Sequence, residues 1–149
     1  MDIRSGAGYP ASSLSNFTPH PFVLDGVKIN SMEGFLQSLK FEQFEQQVEV
    51  CQLVGIRAKM RGKNKKWWKW QKLFWQGKEY KRDGQEYQAL LDKAYWAMYV
   101  QNQGFRTALN STNGAVLVHS IGKSNIRETV LTQAEFCSRL MKMRGSNVT

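Results

Sequence analysis

Asn30-Ser31-Met32-Glu33-Gly34-Phe35-Leu36-Gln37-Ser38-Leu39-Lys40-Phe41 is the stretch on which the fold turns. Met32, Phe35, Leu36 and Leu39 recur at i, i+3, i+4 and i+7, the spacing of a helix with one apolar face. Glu33, Gln37 and Lys40 keep the same spacing one residue on. At about 100° per residue this puts them at the edge of the apolar stripe, where a carboxylate, an amide and an amine can converge on a partly dry pocket. The same letters carry a second reading. Asn30-x-x-Glu33 is a possible capping box, which would leave Glu33 and Lys40 as ordinary surface charges. On either reading the helix is expected to begin near Ser31.

Working outward, Phe22-Val23-Leu24 and Val27-Lys28-Ile29 flank Asp25-Gly26, a strong hairpin signal. Residues 4–21 have no period. Their Gly6, Gly8, Pro10, Pro19 and Pro21 predict a loop that wraps a surface. Downstream, Phe44, Val48, Cys51, Leu53 and Val54 predict a helix from Glu42 to about Ala58. A cleaner stripe of Tyr87, Leu90, Leu91, Ala94, Tyr95 and Met98 predicts a helix over 85–101. Residues 110–114 read as a turn and 115–118 as a short strand. Thr132-x-x-Glu135 is a capping box opening a last helix with Phe136, Leu140 and Met143 on one side, and a fraying tail is expected from Gly145. The class is α+β: a mainly helical single domain with a small β-hairpin and short strands.

The 149 residues suit one domain with a sizeable core, and 42% hydrophobic with 12% aromatic content is a globular composition. No apolar run approaches the ~20 residues of a membrane span, and no signal peptide is visible, so no membrane partner is expected. Cys51 and Cys137 lack metal-ligand spacing and fit reduced core thiols in a cytoplasmic protein. His20 and His119 make no metal set, and neither a P-loop nor a dinucleotide fingerprint is present. No metal and no cofactor are expected.

From Leu14 the chain carries Ser15-Asn16-Phe17, Pro19-x-Pro21-Phe22, the turn at Gly26, and Ser31-x-Glu33-x-x-x-Gln37-x-x-Lys40. This resembles the opening motif of the NADAR, or YbiA-like, family. The family's usual His after the Glu is Gly34 here. Farther on, Ala94–Asn102 with Phe105 and Leu109, Asn110–Val118, and Phe136–Arg144 are similar to later family segments. The family's Asp-x-x-Trp-Gly motif is missing, its place taken by His119–Thr129. The resemblance implies a YbiA-like fold and an N-glycosidase that hydrolyses the bond between a nitrogen and C1 of a phosphorylated ribose. It implies Glu33 as acid/base and Lys40 as phosphate clamp or imine-forming nucleophile. Asn16, Phe17, Gln37, Asn102, His119 and Lys123 are the expected substrate-binding residues.

The family motif leaves one segment unexplained. Residues 57–82 hold eleven Lys and Arg against the single acid Glu79, while the whole chain nets only +9, so the basicity is local. Trp67, Trp68, Trp70 and Trp75 lie in the same segment. Lysines beside aromatic rings are how single-stranded nucleic acid is held, which marks Lys63, Lys65, Lys66, Trp67, Trp68 and Lys69 as a candidate interface. Trp68, Leu73 and Trp75 could instead be core beneath a solvated lysine face. With the family resemblance, the segment favours removal of ADP-ribose from guanine in nucleic acid. A glycosidase on a free ribosylamine phosphate and an inactive nucleic-acid-binding protein are the two other readings. DNA, RNA and oligomeric state are left open.

Overall fold

The computed structural model describes residues 1–148. Its elements are α1 (Ala11–Leu14), β1 (Phe22–Leu24), β2 (Val27–Ile29), α2 (Met32–Ser38), α3 (Phe44–Cys51), α4 (Gly55–Gly62), a 3₁₀ turn (Trp67–Lys69), β3 (Lys72–Trp75), β4 (Lys78–Lys81), α5 (Gln85–Gln101), α6 (Gln103–Asn110) and α7 (Gln133–Met143). The two hairpins are separate two-stranded antiparallel sheets, so the α+β class holds.

α2 is buried nearly all round, with Met32, Gly34, Phe35, Leu36, Gln37 and Ser38 inside. Its cap is Ser31, whose Oγ accepts from the Gly34 N–H at 3.1 Å and donates to the Leu53 carbonyl at 2.9 Å. The capping box read from Asn30 and Glu33 does not form. Asn30 Nδ2 donates to the Gln52 carbonyl, which leaves the Glu33 carboxyl free of the helix start. Glu33 N–H donates instead to the Asn16 carbonyl at 3.0 Å, so the opening loop is tied to the helix end.

The helix expected over Glu42–Ala58 is two helices. α3 stops at Cys51, Val54 is extended, and Gly55 at φ +55 occupies the left-handed region that turns the chain into α4. The break serves α2, because Leu53 must present its carbonyl to Ser31. The buried face of α3 also differs from the expected stripe. Phe44 is 46% exposed, while Gln47 is fully buried with Val50 and Cys51. Gln47 donates to the Phe41 and Phe74 carbonyls and accepts from Gln76 N–H, clamping α3 to the end of α2 and to the β3–β4 hairpin.

That hairpin lies inside the basic segment and was not expected. Gln76 (φ +48) and Gly77 (φ +82) form the two-residue left-handed turn that suits antiparallel strands. Leu73 and Trp75 point into the core, and Trp75 meets Phe35 edge-on at 5.1 Å while donating to Asp25 at 2.9 Å. α5 spans 85–101 with the expected stripe buried, and the Thr132–Glu135 capping box opens α7.

Three smaller expectations fail. The 4–21 loop contains the turn of helix α1. Residues 115–118 make no strand: Val118 forms one parallel bridge with Asp2, and only Leu117 is buried. Gly145–Ser146 are anchored rather than fraying, since Ser146 accepts from the Tyr99 hydroxyl at 2.8 Å.

Two predictions follow from the packing. A Cβ on Gly34 would lie 2.7 Å from the Leu53 carbonyl oxygen and 2.9 Å from that of Val50. Alanine gains about 1 kcal/mol of helix propensity, but the overlapping atoms are backbone and cannot swing aside. Gly34→Ala is therefore expected to destabilise by about 1–3 kcal/mol in urea unfolding, and an unchanged midpoint would refute the close approach. Arg82 is 1% exposed and pairs in a two-pronged fashion with Glu135 at 3.0 and 2.6 Å. Burial pushes the Glu135 carboxyl upward, yet donors from Arg82, Thr132 and Gln88 together hold it at about 2. Its contribution is thus complete above the ordinary carboxylate value and is lost as pH falls from about 4.5 toward 2. Glu135→Gln should cost about 3–5 kcal/mol at neutral pH and show a shallower acid unfolding curve.

Candidate active site

A cavity of about 490 Å³ opens at the polar edge of α2. Glu33, Gln37 and Lys40 form one wall, and Asn16 and Phe17 close it from the opening loop. His119 and Lys123, on the segment before α7, complete this part of the lining. The helix itself ends at Ser38, and Lys40 follows in a tight turn whose N–H returns to the Gln37 carbonyl at 3.1 Å. The turn keeps Lys40 on the side of Glu33.

Each wall residue is set by a local contact. Asn16 Oδ1 accepts from the Tyr95 hydroxyl at 2.8 Å, so its Nδ2 is the end free to meet a ligand. His119 has Nδ1 2.7 Å from the Ile3 carbonyl, which can only accept, so Nδ1 carries the proton. Its ring stands edge-on against Phe136 at 5.4 Å. Gln37 Nε2 donates to Glu33 Oε2 at 2.7 Å, while its Oε1 is buried with no protein partner among the described residues. The amide can donate to a carboxylate or, turned over, accept from a carboxylic acid, so it suits either protonation state of Glu33.

The electrostatics pull the two reactive groups toward neutrality. Burial pushes the Glu33 carboxyl up, against the Gln37 hydrogen bond and the attraction of Lys40, Lys59 and His119. Burial likewise pushes the Lys40 ammonium down, opposed by Glu33 and helped by Lys123. A carboxyl pushed toward its protonated form and an amine pushed toward its neutral form, on the wall of one cavity, favour proton transfer and amine attack. Among the described residues Lys40 has one hydrogen-bond acceptor, the Gly62 carbonyl at 3.5 Å, and so is lightly held.

The placement of the sequence candidates is mixed. Glu33, Lys40, Asn16, Phe17, Gln37, His119 and Lys123 converge on the cavity. Asn102 does not. Its Oδ1 caps α6 through Phe105 N–H at 2.9 Å and its Nδ2 donates to the Pro21 carbonyl, a structural role. Lys63, Lys65 and Trp68 reach the cavity rim, so the basic segment and the α2 site are neighbours. Trp67 is 8% exposed and works as an anchor, not as a surface ring. Lys66 and Lys69 are exposed outside the cavity. The alternative that Trp68 is core does not hold, since it is 52% exposed, while Leu73 and Trp75 are core. Sequence reading missed Lys59 and Arg4 on the lining. Lys59 was visible only as one of many lysines, and Arg4 has no local signal because the fold alone brings the N-terminus there. No group of three or more His, Cys, Asp or Glu side chains among the described residues is arranged to hold a metal. No helix among them is long and apolar enough to cross a membrane.

The architecture is that of a YbiA-like α+β protein. The solved NMR structure of Escherichia coli YbiA superposes with a TM-score of 0.64 at 19% identity, covering 97% of this chain and 82% of that one. Residues 8–145 match the family described as bacteriophage protein GP30.3, and the chain belongs to that family. It is 38% identical over 150 residues to the 17.1 kDa protein of the Gp30-rIII intergenic region of Enterobacteria phage T4, covering 98% of this chain and 97% of the relative.

Gly62 offers a test of the Glu33–Gln37 pair. A Cβ there would fall 2.0 Å from Gln37 Oε1, the flexible end of a side chain that can move away. Gly62→Ala should therefore fold yet displace the amide from Glu33. With that donor gone, the Glu33 carboxyl should titrate at still higher pH, read by carboxyl carbon NMR; an unmoved titration would count against the pairing.

Proposed function

We propose that the protein is an N-glycosidase acting on a phosphorylated ribose, and that its substrate is ADP-ribose joined to guanine in nucleic acid. The observation that carries the reading is the pairing of Glu33, whose carboxyl burial pushes up, with Lys40, whose amine burial pushes down, in one cavity. Lys59, Lys63, Lys65 and Lys123 around that cavity supply the positive field that a sugar phosphate needs. The family resemblance of the opening motif and the YbiA-like fold agree with it.

In this reading the ribose ring opens as a proton passes from the glycosidic nitrogen to the ring oxygen, the C1–O bond breaking to give C1=N. The deprotonated Lys40 amine adds to that C1, its proton passing to the glycosidic nitrogen. The C1–N bond to the base breaks as Glu33 gives its proton to the departing nitrogen. Water then adds at C1 of the protonated Lys40 imine, passing a proton to Glu33. The new hydroxyl gives its proton to the amine, which leaves, and the freed aldehyde recloses on the ring hydroxyl. The net change is one water consumed, with hydroxyl on C1 and hydrogen on the base nitrogen. Asn16 and Gln37 orient the sugar through neutral hydrogen bonds. The step needs Glu33 protonated, so the rate should fall as pH rises through its raised pKa.

The deciding experiment is product analysis on an oligonucleotide carrying ADP-ribosylated guanine. Release of ADP-ribose and unmodified guanine is expected, with Glu33→Gln folded but slower by at least ~10²-fold. Lys40→Arg should abolish turnover, and borohydride should trap a sugar adduct on Lys40 of the wild type, because guanidinium cannot supply a free amine. Activity in Lys40→Arg without an adduct would leave Lys40 as a phosphate clamp. Absence of any product would remove the glycosidase reading.

A further inference from the structure

We propose that a second groove, joined to the cavity at Lys40, Lys65 and Trp67, seats the nucleotide that flanks the modified one, with its base stacked on Trp70. This rests on the glycosidase reading above for the identity of the neighbouring nucleotide. The groove itself is about 420 Å³, close in size to the cavity, and the two share those three residues as a common wall. The shared residues make the two spaces neighbours, so a strand whose modified nucleotide sits in the cavity has the groove beside it for the next one.

The 3₁₀ turn explains how the sequence Trp67-Trp68-Lys69-Trp70 makes two platforms. Trp67 is buried and anchors the turn, while Trp68 lines the cavity and Trp70 lines the groove. Trp70 is 75% exposed, more than Trp68 at 52%, while Trp67 and Trp75 of the same segment are buried. The platform is held firmly. Gln71 N–H donates to the Trp67 carbonyl at 2.9 Å, and Gln71 Nε2 bridges the carbonyls of Trp68 and Arg127 at 2.9 Å each. With the backbone of the turn held, little beyond the ring's own rotation has to be ordered when a base settles on it.

The charges around the groove select the same ligand. Lys72 pairs with Glu79 at 3.4 Å and so neutralises one of the two acids there. Lys63, Lys65, Lys66 and Lys69 have no carboxylate partner among the described residues. Lys65 is parked with its ammonium 4.9 Å above the Phe41 ring, at the junction of the two spaces. Unpaired ammonium groups alternating with exposed indoles fit a strand whose phosphates and bases also alternate. An acidic peptide would use the lysines and leave the indole idle.

Trp70 touches no core, so Trp70→Ala should fold, and Trp96→Ala provides a control for an exposed tryptophan elsewhere. The first readout is fluorescence anisotropy with an unmodified thymidine oligomer of about eight nucleotides, within the usual length of one single-strand site. Trp70→Ala should weaken binding about tenfold, Trp70→Phe should keep most of it, and Trp96→Ala should change nothing. The second is turnover of modified oligomer against free ADP-ribosylated guanosine, where the loss in Trp70→Ala should fall on KM for the oligomer alone. Unchanged oligomer binding, equal loss on both substrates, or equal competition by a polyglutamate of similar length would overturn the proposal. If the wild type turns over neither substrate, the glycosidase reading fails while the thymidine oligomer still decides the groove.

Discussion

The close approach of α2 to the carbonyl end of α3 is the constraint from which the site follows. Gly34 has no side chain because the Leu53, Val50 and Cys51 carbonyl oxygens occupy the space a Cβ would need. With that contact made, the apolar positions of a seven-residue helix are all covered, and burying a Phe or Leu of this kind is worth about 1.5–3 kcal/mol. An isolated helix so short would not hold in water, so tertiary contact supplies its stability. The same packing leaves Glu33 and Lys40 at the only edge where α2 meets open space. Their perturbed acidities come from standing on, or in the turn just after, a helix that the core has nearly swallowed. The departure from the NADAR pattern at position 34 has the same cause, since a His there would collide with backbone.

The basic segment divides into two populations with different work. Arg61, Lys78 and Arg82 face carboxylates outside the segment and bind it to the fold, while Lys72 pairs within it to Glu79. Arg82 goes furthest, carrying its charge into the core to meet Glu135 and laying its guanidinium 5.2 Å from the Tyr87 ring. Exposed pairs such as Lys78–Glu86 add little, whereas breaking the Arg82–Glu135 pair would strand a buried charge. The lysines of 63–69 have no such partners among the described residues; Lys63 lines the cavity, Lys66 the groove and Lys65 both. Their mutual repulsion is a standing cost that a polyanion would relieve.

Gln47 and Gln37 show why polar residues defeat periodicity. Gln47 is fully buried because three backbone groups from α2's end and the β3–β4 hairpin converge on its amide. A pattern of apolar letters passes over it and chooses Phe44, which is exposed. Gln37 sits inside for a similar reason, with Glu33 on one side and the bare Cα of Gly62 on the other. The β3–β4 hairpin was hidden because Phe74, an apolar residue at an outward position of β3, breaks the alternation that Leu73 and Trp75 would otherwise show.

By itself, the sequence determined the β1–β2 hairpin, the core stripe of α2, the long α5 and the capped start of α7. Each depends on contacts within a few residues: a turn that Asp-Gly favours, an i, i+4 stripe, a Thr–Glu reciprocal cap. It also placed Glu33, Gln37 and Lys40 together, because helical phase is a local property. Tertiary structure decided the rest. It put His119 and Lys123 on the cavity that α2 lines, sent Asn102 to a helix cap, split the 42–58 region at Gly55, and turned one tryptophan of the 67–70 run inward and two outward. Those outcomes hang on groups tens of residues apart competing for the same carbonyls and the same buried space, and no window of sequence contains both competitors.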